Sequence, residues 1–195
     1  MGKGNIIPGF EIPEAVSPVG FTEEIIIKDG TAVTIRPIQP GDAPLLQATF
    51  ERLSPETVYL RFLKSFKELS RKQAQYFANV DYHHRMALVG TIMEDGGESI
   101  IAVARYDFIG DAQPGAAECA IVVRDDFQNR GLGTAIMIRL TRYARQHGVN
   151  AFTATIHVSN TGIINFVRKS GLEFQRKLIE PGIWEFRVNL AEISF

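Results

Sequence analysis

The residues of this sequence best suited to chemistry are Gln128, Arg130, Gly131 and Gly133, and the chemistry they suit is anion binding. They follow a strand-like run, 117–123, and open an apolar-periodic stretch from Leu132. Two glycines two apart at a helix entry let backbone N–H groups crowd round a bound anion. The helix start adds donors that lack intrahelical partners, and the positive end of the dipole. Arg130 adds a full charge beside them. In physical terms this is a pyrophosphate site. It lacks the Lys-Ser/Thr pair of a phosphate-binding P-loop, and Ile136 stands where a dinucleotide fingerprint has its third glycine. The same residues also suit a tight strand-to-helix turn with no ligand, and on their own they leave both readings open.

Other reactive residue types offer less. His83 and His84 have no third ligand at metal-binding spacing, so they read as a loop pair and no metal is expected. Cys119 is the single cysteine and cannot form an internal bridge, which points to a reduced, cytoplasmic protein.

The whole chain sets the limits. With 195 residues, 45% hydrophobic and 22% charged, it has the composition of one globular domain rather than a disordered chain. A net charge of −1 argues against nucleic acid as a partner. No apolar run nears the ~18 residues of a membrane span, so no membrane role is expected, and no signal peptide is visible. Charge is unevenly spread: residues 1–60 carry four basic and eight acidic side chains, a balance of −4. Residues 124–147 carry five arginines against two aspartates, a balance of +3. That basic segment reads as solvated helix surface or as a site for a small polyanion.

Elements must then position the loop. Residues 1–20, with three prolines and four glycines, read as a tail. Runs 23–28 and 31–38 flank Asp29 and Gly30, a hairpin signature. Asp42 is placed to cap a helix with Pro44 in its first turn, Ser54 starts a second, and Ser70 with Gln73 makes a capping box for a third. Strands are expected at 86–93, 100–108, 117–123, 152–158, 172–179 and 183–190, and helices at 132–147 and 161–170. The unit 117–158 has the length of a strand–helix–strand crossover, so its two strands should run parallel.

Gln128-x-x-Gly131-x-Gly133 resembles the acyl-CoA-binding signature of the GNAT superfamily of N-acetyltransferases. Ile121, Val122 and Val123 resemble that family's splayed fourth strand, and 157–172 its second CoA segment, with Asn160 and Gly171 in step. Stretches 54–62 and 81–89 resemble the bacterial Pat-type protein-lysine acetyltransferase domains. The resemblance covers residues 32–190. It implies an α/β (α+β) fold: a mixed, mostly antiparallel central sheet with a splayed parallel pair and helices on both faces. Residues 1–31 become an N-terminal extension with an extra strand, and 32–195 the N-acetyltransferase domain. Acetyl-CoA is the implied co-substrate. Ile121, Val122 and Val123 lie along its pantetheine arm, joined by Asn160. The N–H groups of Gln128, Asn129, Arg130, Gly131, Leu132, Gly133 and Thr134 hold its pyrophosphate. The implied partner is an amine acceptor, a protein lysine on the Pat-type branch, and a homodimer is compatible with it. A small-molecule amine acetyltransferase and a non-catalytic acyl-CoA-sensing module remain as alternatives.

Acetyl transfer needs a proton acceptor, because a lysine amine has a pKa of about 10.4. Glu118, the only acid in its apolar run, is the candidate general base, and isolation there would raise its pKa toward neutrality. Strand parity puts Cys119 on the other face, away from the thioester. Many family members carry a tyrosine seven residues after the matching asparagine to protonate the leaving thiolate; here it is Val167. Asp81 and Tyr82 are loosely placed on the acceptor side.

Overall fold

The computed structural model describes residues 22–110 and 113–190, so the expected tail lies outside the described residues. The runs around Asp29 and Gly30 fold back as β1 (Glu23–Ile26) and β2 (Ala32–Pro37), with Ile26 opposite Ala32. Gly30 takes φ +87°, the left-handed value such a turn requires.

Three short helices follow: α1 (Ala43–Glu51), α2 (Pro55–Phe62) and α3 (Arg71–Ala78). The Ser54 hydroxyl accepts the Thr57 N–H at 3.1 Å, and Ser70 with Gln73 forms the reciprocal capping box. Asp42 does not cap α1 as expected. Its buried carboxylate is held by Arg36 at 2.7 and 2.9 Å and by the Gln39 N–H at 2.8 Å. A bidentate guanidinium outcompetes a helix end for it.

The remaining elements are β3 (Arg85–Glu94), β4 (Gly97–Phe108), β5 (Ala116–Val123), α4 (Leu132–Gln146), β6 (Ala151–His157), α5 (Thr161–Lys169), β7 (Phe174–Glu180) and β8 (Ile183–Asn189). All eight strands form one sheet in the order β1-β2-β3-β4-β5-β6-β8-β7. Every pairing is antiparallel except β5 with β6, the pair joined through α4. Alternation along β3 sends Met86 and Leu88 to the face covered by α4, and Ala87 and Val89 to the face covered by α1 and α3. Fully burying a side chain such as Leu140 on the α4 face or Ile38 on the other contributes ~1.5–3 kcal/mol, so both faces hold their helices firmly.

Three of the five arginines in the 124–147 segment form no open charged surface. Arg124, Arg139 and Arg142 are buried, and Arg124 is bonded to Glu94 and Asp126 and Arg139 to Glu23. A buried guanidinium is tolerable only with such partners, so these charges fasten elements together. Among the described residues no helix is long and apolar enough to cross a membrane.

Candidate active site

β5 and β6 pair only at their start, where Ala116, Ala117 and Glu118 lie beside Ala151, Phe152 and Thr153. Beyond that they diverge. β5 stays on β4 as far as Val123, and β6 stays on β8 as far as His157. The sheet therefore opens into a V. The ladder decides which backbone groups face it. The Arg124 N–H donates to the Ile101 carbonyl at 2.8 Å, so by alternation Val122 and Ala120 also turn their backbones to β4. Ile121 and Val123 turn theirs into the gap. Val122, expected among the ligand-binding residues, is instead a backbone partner of β4.

After β5 the chain makes one 3₁₀ turn, Asp125–Phe127, and enters α4 through Asn129 at φ +61° and Gly131 at φ +89°. Left-handed residues in such a sequence turn successive N–H groups to one side, forming a nest for an anion. Among the described residues the N–H groups of 129–134 have no hydrogen-bond partner. Gln128, expected to join them, is differently employed. Its N–H donates to the Asp125 carbonyl at 3.3 Å, and its side-chain amide to the Val123 carbonyl at 3.1 Å and the Thr57 hydroxyl at 3.2 Å. Nothing in the protein fills the space at Gly133, where a Cβ would meet Ile121 and Val123 only at an ordinary 3.6 Å. Free donors, the dipole end and open room suit a pyrophosphate group.

Two further pieces hold this loop, and neither carried a sequence motif. The β1–β2 turn docks on it: the Lys28 N–H donates to the Arg130 carbonyl at 3.0 Å, and Asp29 pairs with the Arg130 guanidinium. The Lys28 side chain runs over Gly131, 3.5 Å from where a Cβ would be. Arg130 thus shares its charge with Asp29 and lies 4.9 Å over the Phe127 ring. The second piece is α2. Asp125 accepts the Ser54 N–H and hydroxyl at 2.9 and 2.7 Å and the Thr57 hydroxyl at 2.7 Å. At the other side Tyr59 meets His157 edge-on, with ring centres 5.5 Å apart. Helix α2 therefore spans the mouth of the V and carries Leu60 and Arg61 into it.

The cleft so formed encloses about 860 Å³ of empty space, its open mouth included. Its walls are mostly apolar, with Ile121 from β5, Met137 from α4, Ile156 and Phe186 from β6 and β8 and Val167 from α5, and Asn160 stands among them just before α5. The Asn160 side chain accepts the Ile163 N–H at 3.3 Å, capping α5. Val167, at the position of the family's tyrosine, is buried. Cys119 lines the cleft rather than facing away from it. The alternation with Glu118 is as expected, but the cleft opens on the cysteine side. Burial pushes the Cys119 thiol up to about 12, so it is protonated at neutral pH.

Glu118 stands at the closed end of the V, opposite Asp107 on β4 and Thr153 on β6. It is exposed and so is not isolated among apolar groups, as its run of neighbours suggested. Parity turns it to the α3 side, where Arg105 reaches the Phe77 carbonyl and both Arg85 and Arg105 grip Asp107. Asp81 and Tyr82 shape a turn: Asp81 accepts the His83 and Arg85 N–H groups, and the Tyr82 hydroxyl donates to the Ile38 carbonyl. The His83 and His84 rings lie 4.5 Å apart, and no cluster suited to a metal ion occurs among the described residues.

Known proteins share this fold. A family model described as Acetyltransferase (GNAT) family matches residues 47–172. An acetyltransferase of Pseudomonas aeruginosa is 31% identical over 150 residues, which cover 77% of this chain and 80% of the relative. Acetyltransferase Pat of Mycolicibacterium smegmatis is 30% identical over 151 residues, 77% of this chain, and the match spans only 44% of that protein. Among solved structures, the GNAT domain of S. lividans PAT aligns with a TM-score of 0.79 at 28% identity. That alignment covers 89% of this chain and 99% of the domain.

Proposed function

This chain belongs to the GNAT family of acetyltransferases, and on that premise we propose that it binds acetyl-CoA in the V and passes the acetyl group directly to a protein lysine, with Glu118 as proton acceptor. The observation that carries this reading is one continuous wall of free backbone donors. It runs from the unpartnered N–H groups of 129–134 to Ile121 and Val123, which face the gap. The pyrophosphate lies on the first part and the pantetheine amides bond the second, as an added strand would. The acyl end then reaches the closing point of the V, beside Cys119 and Ala120. The lysine acceptor rests on the resemblance of 54–62 and 81–89 to Pat-type domains. The free thiol of Cys119 suits a cytoplasmic setting.

In the reaction the acceptor amine attacks the thioester carbonyl carbon. Glu118, exposed at the closed end of the V, takes the amine proton through a water. Cys119 takes no part, because its thiol is held protonated. Glu118→Gln should keep acetyl-CoA binding and lower acetyl transfer by ~10²–10⁴-fold, since a general base contributes about that much. The assay mixes protein, acetyl-CoA, lysine peptides and small amines, and reads released thiol. A loss under about threefold at neutral pH removes Glu118 as the base, and transfer to small amines alone removes the protein acceptor.

A further inference from the structure

The cleft holds one charged side chain, and the reaction as described has no use for it. Arg61, in the last turn of α2, lines the cleft together with Leu60, Cys119 and Ala120. Among the described residues its guanidinium makes no hydrogen bond and no ion pair; it lies over the Phe62 ring, 4.7 Å from the ring centre. The titratable groups that reach it are Cys119 and Glu118 on β5 and Arg105 and Asp107 on β4. Asp107 is already bonded to Arg85 and Arg105. Burial, and then Arg105, pulls Arg61 down to about 10, which still leaves it charged at neutral pH. A half-buried cation without a partner costs stability, and it recovers that cost when an anion arrives.

An anion is formed at this place during turnover. When the tetrahedral adduct collapses, the carbon–sulfur bond breaks and its electron pair goes to sulfur. The amine proton has gone to Glu118, so coenzyme A leaves as a thiolate. No acid stands in the tyrosine position, where Val167 contributes only a hydrocarbon wall. We propose that Arg61 stabilises the departing coenzyme A thiolate by direct contact, making it a catalytic residue in place of the absent phenol. The thiolate takes its proton afterwards from solvent, and Glu118 releases the one it accepted. The assignment rests on acetyl-CoA lying in the V as proposed above.

The test uses coenzyme A itself and follows the ultraviolet absorbance of its thiolate against pH, with the full chain in excess. Bound to the wild type, the thiol should titrate about one unit below its free value, a tenfold gain in acidity. In Arg61→Gln that shift should vanish, and Arg61→Lys should retain part of it. Turnover should follow, with kcat down by up to about tenfold in Arg61→Gln and the KM for acetyl-CoA within about threefold. The dethio analogue of coenzyme A should bind both proteins equally. If Arg61→Gln proves unfolded by circular dichroism, Arg61→Lys carries the comparison. An equal titration midpoint in the wild type and the folded variant overturns the proposal while leaving acetyl-CoA binding intact. A wild type that binds no coenzyme A removes the acyl-CoA reading, and Arg61's role with it.

Discussion

The two arms of the V are built on different principles. The β5 arm is fixed by directional polar bonds. Arg124 is buried and gripped by Glu94 and Asp126, Asp125 holds the start of α2, Gln128 bonds Val123, and the β1–β2 turn clasps Arg130. The β6 arm rests on a small apolar cluster of Ile156, Val167 and Phe186, with β7 exposed along nearly its whole length. The contrast follows the ligand. A charged diphosphate needs donors at set positions, and directional bonds supply them. An apolar chain needs only contact area, which adaptable packing supplies.

Breaking the apolar arm should show the largest stability effect. Phe186 is almost fully buried in a cluster too small to collapse around a void. Phe186→Ala should cost ~3–5 kcal/mol. Hydrogen exchange should localise the loosening to α5, β7 and β8, with the 129–134 loop unchanged. Spread of the loosening into that loop would mean the arms are one unit.

The polar arm should answer next, and to pH as well as mutation. Glu94→Gln leaves Arg124 with a weakened partner and should cost about 2–3 kcal/mol. The hydrogen bond from Arg124 holds the Glu94 carboxyl down to about 2, against an ordinary 4.5. A carboxylate with a lowered folded pKa contributes its full stability above the unfolded value. That contribution is lost as pH falls from about 4.5 toward 2. After allowing for water around the carboxylate, the loss is about 1–2 kcal/mol. Acid unfolding curves should show this slope in the wild type and a flatter one in Glu94→Gln. Equal slopes would remove the ion pair from the account.

The smallest effect belongs to the tie between loop and helix. Asp125→Ala removes three exposed hydrogen bonds to Ser54 and Thr57 and should cost ~1 kcal/mol of stability. It should still weaken acetyl-CoA binding, because α2 would no longer hold the mouth of the V. Unchanged binding would show that α2 is placed by its apolar contacts alone.

Much of this was legible in the sequence, for identifiable reasons. The Asp29-Gly30 turn, the Ser54 and Ser70 caps and the alternating strands depend on local spacing, which the chain displays openly. The loop from Gln128 to Gly133 was visible as a motif. What was not visible depends on partners far along the chain. Asp125 meets Ser54 across 71 positions and Arg139 meets Glu23 across 116, so a basic segment that read as surface is buried ion pairing. The Gln128 N–H, expected among the loop's donors, bonds the Asp125 carbonyl one turn back, and its side chain braces Val123 and Thr57. Glu118 and Cys119 were assigned faces correctly relative to each other, but alternation cannot say on which side a splayed sheet opens.

The central claim, that acetyl-CoA lies on the 129–134 loop, is tested most directly by the thermal shift it induces in the wild type and in Gly131→Val. Gly131 sits at φ +89°, which a β-branched residue adopts only with strain, so the substitution spoils the nest. At a hundredfold excess over its dissociation constant, acetyl-CoA should stabilise the wild type by ~2.7 kcal/mol, because it binds only the folded state. In Gly131→Val, compared with its own ligand-free form, most of that gain should disappear. An equal gain in both proteins would contradict the account and place the coenzyme elsewhere.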